Sequence, residues 1–383
     1  MPARIYGENK GDVDMVMADV GLQQQHDKLA ERLSGMGDGH NCLLSVGVSG
    51  CGKTTAMFGI AKKYFSLYFE CSANGRVKQP DASAFQTHVL NKMDSAPFVF
   101  DAYVCARLIT FLKFVEVCKA SGHTPITPQM WLNAQLDGAT RFSATVLETL
   151  CTPQNLGNIG NIRSALVARV DAVLKDLYTK LPDSGRVKEH ERLYIFLDEA
   201  HVLTSLKTYG TYFIGDDSKP VPFLYHVLHR KNIGFESFPA FVAGTALRLH
   251  DIHASYSRAV NERIQRNTSA ASEGVFTEYT PLDADAIKTF FASFVGNDAA
   301  NDEELLPYYD RLAGRGRLTA RWLQNAIDAR SKDVAGLIAA AESLIAQEKT
   351  VVMINRESTT FYSFWMKFFE DLLGKPLVLA FIY

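Results

Sequence analysis

The sequence has almost no net charge: 40 Lys and Arg against 42 Asp and Glu leave a formal charge of −2 over 383 residues. A protein that coats nucleic acid without sequence preference needs a basic excess to displace counterions, so this balance does not support that role. No run of about 18 uninterrupted apolar residues occurs, which removes the usual signature of a membrane-spanning helix. The opening MPARIYGENKGDVD has no apolar h-region and does not read as a secretory signal. Cysteine is scarce. Cys42, Cys51, Cys71, Cys105, Cys118 and Cys151 all fall in the first half, and none forms a CxxC pair. Buried, reduced thiols in an intracellular protein, of cytoplasm or nucleus, are the expectation. There is no internal repeat and no low-complexity tract. What is present is 47% hydrophobic and 21% charged residues, enough apolar surface to offset chain entropy in two or three structural units.

Residues 1–20 are polar and mixed, and read as a loose N-terminal arm. The next segment, 21–280, reads as an α/β core. It opens with GLQQQHDKLAERL, which places Leu22, Leu29 and Leu33 on one helical face. Cys42 to Val46 follows as a short apolar run between glycines, the pattern of a fully buried strand. YFSLYFE, Tyr64 to Glu70, is a second strand by its aromatic and alternating character. From 81 to 185 the pattern turns helical and reads as a long insertion, with PITPQMWLNAQLDG as a turn and short helix inside it. Strands resume at Leu193–Leu197, at Phe241–Gly244 and at Val275–Tyr279. Strands alternating with helices predict a parallel sheet flanked by helices. Residues 281–350 read as a C-terminal helical lid. Residues 351–383 are an aromatic segment that reads as packed core, or as the start of another module.

The segment Gly47-Val48-Ser49-Gly50-Cys51-Gly52-Lys53-Thr54-Thr55 satisfies G-x-x-x-x-G-K-[ST] in full, with a strand leading in and AMFGIAKKYF able to form the helix leading out. The spacing has a physical reason. Glycines let the backbone turn its N–H groups around a β-phosphate, and the helix beginning near Lys53 adds its positive end. Gly47, Ser49, Gly50, Cys51, Gly52, Lys53, Thr54 and Thr55 are therefore the nucleotide-binding candidates. Lys53 would reach the β- and γ-phosphates, and Thr54 would offer its hydroxyl to Mg²⁺. Cys51 inside the loop invites redox control, although a tolerated small residue explains it as well.

The second element is Leu193-Tyr194-Ile195-Phe196-Leu197-Asp198-Glu199, an apolar strand ending in two carboxylates, the Walker B arrangement. Asp198 would hold Mg²⁺ through its water shell, and Glu199 would polarise the attacking water. Thr245, at the tip of the next strand, is placed to sense the γ-phosphate, though a threonine there also serves as a helix N-cap. In Gly314-Arg315-Gly316-Arg317-Leu318-Thr319, Arg317 is preferred over Arg315 as an arginine reaching back to the phosphate, because Leu318-Thr319 fits a helix start. Arg258, Arg263 and Arg266 are further candidates for a finger acting on a neighbouring subunit, and the sequence does not choose among them.

GVSGCGKTT, LDEAH, VAGTAL and GRGRLTARWL occur in the order of AAA+/STAND-like P-loop ATPases. With the long helical stretch and its TPQMWLNAQL segment, the chain resembles the ATPase domain of Crinkler-type effectors and of the related retrotransposon-hot-spot proteins, over residues 20–330. The resemblance implies ATP binding and Mg²⁺-dependent hydrolysis by Lys53, Thr54, Asp198 and Glu199. It also implies coupling to an effector module in a host cell or its nucleus, with a host protein or a second copy of the chain as partner. The sequence departs from the family in carrying neither an LFLAK-type header nor a complete D…(D/E)-x-K nuclease triad after residue 330. Two other readings compete: a nucleotide-gated switch with little turnover, and a helicase suggested by LDEAH, which would require a second RecA-like lobe.

Overall fold

The computed structural model describes residues 23–34, 42–47, 52–72, 79–91, 95–181, 192–205, 213–214, 220–221, 223–234, 238–245, 275–276, 283–313, 318–319, 321–323, 325 and 333–357. Two compact units divide between residues 281 and 282. The first unit begins with α1 (Gln23–Ser34), β1 (Cys42–Gly47), α2 (Lys53–Ala61) and β2 (Ser66–Glu70). Six helices follow: α3 (Pro80–Asn91), α4 (Ala96–Ala120), α5 (Pro128–Leu136), α6 (Ala139–Leu150), α7 (Pro153–Gly157) and α8 (Ile159–Lys180). Then come β3 (Tyr194–Asp198), α9 (His201–Ser205), a small antiparallel pair β4 (Phe213–Ile214) and β5 (Pro220–Val221), α10 (Phe223–Gly234), β6 (Ala240–Thr245) and β7 (Val275–Phe276).

Five strands form one sheet in the order β2-β3-β6-β1-β7, with every adjacent pair parallel. Successive side chains of a strand point to opposite faces, and the apolar residues sort accordingly into two cores. Leu44, Leu67, Phe69, Ile195, Leu197 and Val242 belong to the core that includes α4, α8 and α10. Leu43, Tyr68, Tyr194, Phe196 and Phe241 belong to the other, with Leu29 and Leu33 of α1 and Met57, Phe58 and Ile60 of α2. Burial on both faces explains why the strands read as near-continuous apolar runs. The α/β class with a parallel sheet between helices is the one expected from the alternation.

Several element boundaries differ from the expectation. The second strand starts at Ser66, because Tyr64 and Phe65 complete the turn after α2. The helices at 80–180, expected as an insertion within the core, lie against the sheet. Sixteen of the 25 residues of α4 are buried, and α3, α4, α6 and α8 form the cover of one sheet face. A helix apolar on all sides belongs in a core.

The described regular elements of the second unit are helices, including Ala284–Val295, Leu306–Leu312 and Val334–Glu357. Asp283 caps the first of these, its carboxylate accepting from Ala286 N at 2.7 Å. The unit closes around Trp322, whose ring lies 4.0 Å from that of Phe291 and whose Nε1 donates to Leu337 O at 2.7 Å. The boundary expected at 350/351 falls inside Val334–Glu357, because QEKTVVMINRE holds no glycine or proline to stop the helix. The aromatic segment from 361 onward lies outside the described residues, as do residues 1–20. No described helix is long and apolar enough to cross a membrane.

Candidate functional site

α2, which follows β1, packs into one core of the sheet, and α9 and α10, which follow β3, pack into the other. Divergent exits at the carboxyl ends of a parallel sheet open a crevice, the usual ligand position in such sheets. Three neighbouring strand ends bound it. Gly47 of β1 pairs with Thr245 of β6, and Ala200, just past β3, donates its N–H to Ala243 O of β6 at 2.7 Å.

After β1, residues 48–51 lie outside the described residues, Ser49, Gly50 and Cys51 among them. The chain re-enters at Gly52 with φ 96° and ψ 16°, a left-handed conformation that glycine alone adopts without steric cost. Gly52 accepts from Ala56 N at 2.8 Å and so starts α2. Lys53, Thr54 and Thr55 therefore occupy the first turn of a nine-residue helix, where backbone N–H groups have no intrahelical acceptor.

Thr54 Oγ1 donates to Asp198 Oδ2 at 2.6 Å, joining residues 144 positions apart. Asp198 ends β3, whose five residues are all buried. Its other oxygen, Oδ1, accepts from Glu199 N at 2.9 Å. Glu199 takes φ 50°, the only non-glycine residue with positive φ among those described. For a residue with a Cβ that geometry costs about 1–2 kcal/mol. It ends the extended backbone of β3 immediately after Asp198. His201 Nδ1 stands 3.1 Å from Glu199 Oε2.

Two residues not singled out in the sequence complete the cluster. Tyr68 and Glu70 share a face of β2, two residues apart, and Glu70 pairs directly with Asp198 across the β2–β3 ladder. Tyr68 OH donates to Asp198 Oδ2 at 3.0 Å and lies 3.5 Å from Glu70 Oε2. Burial first, then the Asp198 charge, raises the Glu70 carboxyl from 4.5 to about 8. Burial likewise raises Asp198, against the lowering effect of the Thr54 hydroxyl and the Glu199 N–H. Burial, reinforced by the Asp198 and Glu70 carboxylates, holds the Tyr68 phenol well above its ordinary value, so it remains a donor. The sequence did carry a signal: YFE puts a hydroxyl and a carboxylate at spacing two in an otherwise apolar strand. His201 was also legible, as the end of LDEAH.

Among the described residues no strand pairs with the outer edge of β2, and glutamines satisfy its backbone. Gln135 Oε1 accepts from Tyr68 N at 2.9 Å while its Nε2 donates to Ser66 O at 3.0 Å. Gln79 Oε1 accepts from Glu70 N at 2.9 Å and its Nε2 donates to Tyr68 O at 3.3 Å. Trp131 Nε1 also donates to Ser66 O, at 2.6 Å. Each amide supplies one donor and one acceptor, as a strand would, and so closes an edge otherwise open to aggregation. Arg107 ties both glutamines together. Its Nη2 donates to Gln79 Oε1 at 2.8 Å and to Asp81 Oδ1 at 3.0 Å, and its Nε donates to Asp81 Oδ2. Both charged side chains are fully buried.

Of the residues expected at the site, Gly47, Gly52, Thr54, Asp198, Glu199 and the backbone of Thr245 thus converge, with Lys53 and Thr55 on the first turn of α2. The Thr245 side chain and Arg317, Arg315, Arg258, Arg263 and Arg266 lie outside the described residues. Thr54 and Asp198 are the pair fit to hold a cation. A hydroxyl that gives its proton to Asp198 keeps its lone pairs for a metal. Among the described residues no group of three or more His, Cys, Asp and Glu side chains is arranged to hold a metal by itself. Cys42, Cys71, Cys105, Cys118 and Cys151 are buried, and Cys51 lies outside the described residues. No protein-family model, no curated protein and no solved structure matches this chain.

Proposed function

We propose that the chain is a P-loop ATPase that binds ATP with Mg²⁺ at the crevice between β1 and β3 and hydrolyses it to drive or gate an effector module. The observation that carries the reading is the 2.6 Å contact between the hydroxyl of Thr54, on the glycine-loop helix, and the carboxylate of Asp198, on the acidic strand. Two motifs far apart in sequence meet through the side chains that metal-nucleotide chemistry requires. The left-handed Gly52 supports it, because a loop turning its N–H groups inward needs that backbone. So does the donor set. One hydroxyl and one carboxylate make a poor metal cage alone but suit a cation that arrives with phosphate oxygens and water.

In this reading the loop amides and the first turn of α2 hold the β-phosphate, and Lys53 neutralises the β- and γ-oxygens. Thr54 and Asp198 would hold Mg²⁺, which when bound draws charge from the phosphate oxygens. Glu199 accepts a proton from water at the γ-phosphate. Thr245 would touch the γ-phosphate or the attacking water. The guanine-reading pattern N-K-x-D occurs twice, at Asn9–Asp12 ahead of β1 and at Asn91–Asp94 from the last residue of α3, and neither match directly follows a strand; the preference for ATP over GTP rests on that placement.

A nucleotide-gated switch with little turnover is the second reading. It is favoured by His201 standing 3.1 Å from the Glu199 carboxylate, since a carboxylate engaged by its neighbour is less available to water. The helicase reading asks for a second α/β lobe, whereas the described residues beyond 282 form helices and no strand. Single-turnover hydrolysis decides between the first two. Lys53→Ala should abolish nucleotide retention by removing a charge-assisted contact. Glu199→Gln should retain nucleotide and slow hydrolysis by about 10²–10⁴-fold, the range of general-base catalysis. A wild-type chain that retains no nucleotide with magnesium present overturns the ATPase reading. Equal rates in wild type and Glu199→Gln leave the switch.

A further inference from the structure

We infer that Tyr68 is a positioning residue for Asp198: its buried hydroxyl fixes the carboxylate in the orientation in which Oδ2 can serve a magnesium–nucleotide complex, and the helices between β2 and β3 hold Tyr68 in place. The inference rests on the proposed ATPase reading and adds to it a residue that belongs to neither nucleotide motif.

Asp198 has two oxygens. Oδ1 is held by the backbone N–H of Glu199, which cannot by itself set the carboxylate torsion. Oδ2 receives two hydroxyls, Thr54 at 2.6 Å and Tyr68 at 3.0 Å. Thr54 sits on the nucleotide helix and must share its oxygen with a cation. Tyr68 sits on the neighbouring strand with its side chain fully buried, and its ring packs 4.8 Å from that of Phe58 in α2. It is the donor to Oδ2 that lies off the nucleotide helix, so it holds the carboxylate whether or not a cation engages the Thr54 oxygen.

Tyr68 is itself anchored. Its N–H is held by Gln135 of α5 and its carbonyl by Gln79, just before α3, and both glutamines meet at Arg107 of α4, locked by Asp81. The hydroxyl–carboxylate distance is thus set by side chains of α4 and α5 and by the residues that lead into α3. These helices do more than cover the sheet; they hold the metal-facing acid through β2.

The test is equilibrium binding of a fluorescent ATP analogue across a magnesium titration, with wild type, Tyr68→Phe, Asp198→Asn and the double variant. Removal of the hydroxyl alone preserves ring volume, and melting temperature checks the fold. Expected is an approximately tenfold or greater rise in half-saturating magnesium for Tyr68→Phe, since a hydrogen bond to a charged group contributes about 1.5–3 kcal/mol. Nucleotide affinity without magnesium should stay unchanged. In the Asp198→Asn background the same substitution should change nothing further, because Tyr68 acts through Asp198. A merely structural role would instead weaken binding by the same factor in both backgrounds, with or without magnesium, and would overturn the inference. So would unchanged or tighter magnesium dependence in Tyr68→Phe, the result expected if loss of a donor simply left a more strongly charged carboxylate. Failure of the wild type to bind nucleotide at all would remove the premise, and is recognised before any variant is compared.

Discussion

Glu70 offers a test of the cluster that requires no ligand. In the folded chain its carboxyl titrates at about 8, against an ordinary 4.5, because it is buried beside Asp198. Between these two values the native state holds a proton that the unfolded chain has released. Stability therefore falls as pH rises through that window, is fully retained below about 4.5 and levels off above about 8. The slope is about 1.4 kcal/mol per pH unit, or roughly 3.5 kcal/mol lost between about pH 5 and pH 8. Glu70→Gln keeps the shape and the neutral state. It should remove this part of the slope and leave the variant more stable than wild type by a few kcal/mol near pH 8, while the two nearly coincide near pH 5. Urea unfolding at a series of pH values, followed by far-UV circular dichroism, gives the difference directly. Parallel wild-type and variant curves, or a variant less stable near pH 8, would mean that Glu70 is ionised in the fold.

Other outcomes follow from the same contacts. Arg107→Leu should cost about 3–5 kcal/mol in unfolding free energy, because Asp81 would be left as an unpaired buried charge. Adding Asp81→Leu should restore part of that loss, and a single variant within about 1 kcal/mol of wild type would contradict the pairing. Gly59→Ala should lower the melting temperature even though alanine is the better helix former by about 1 kcal/mol. A Cβ there would lie 2.3 Å from Nδ1 of the buried His26 ring in α1. In a His26→Ala background the same substitution should become neutral or stabilising, and a stabilised single variant would refute the close packing of α1 on α2.

The G-x-x-x-x-G-K-T spacing and the apolar run ending in Asp198-Glu199 were legible in the sequence because they are local. A loop that turns on glycines and a strand that ends in acids are each fixed by a few consecutive residues. The parallel α/β class was legible for a related reason: buried strands and helices alternate with clear punctuation. Tyr68 and Glu70 were not singled out, since the spacing of a hydroxyl and a carboxylate in one strand gains its meaning only from the neighbouring strand. Their meaning depends on β2 lying beside β3 in the register that sets Glu70 against Asp198. The helices at 80–180 read as an insertion because sequence pattern counts apolar stripes but does not say what they cover. Only the tertiary structure shows their glutamines completing the edge of β2 and Arg107 binding those glutamines together. Local chemistry comes from residue order; which acid meets which hydroxyl comes from strand order and register, long-range properties that no short window of sequence contains.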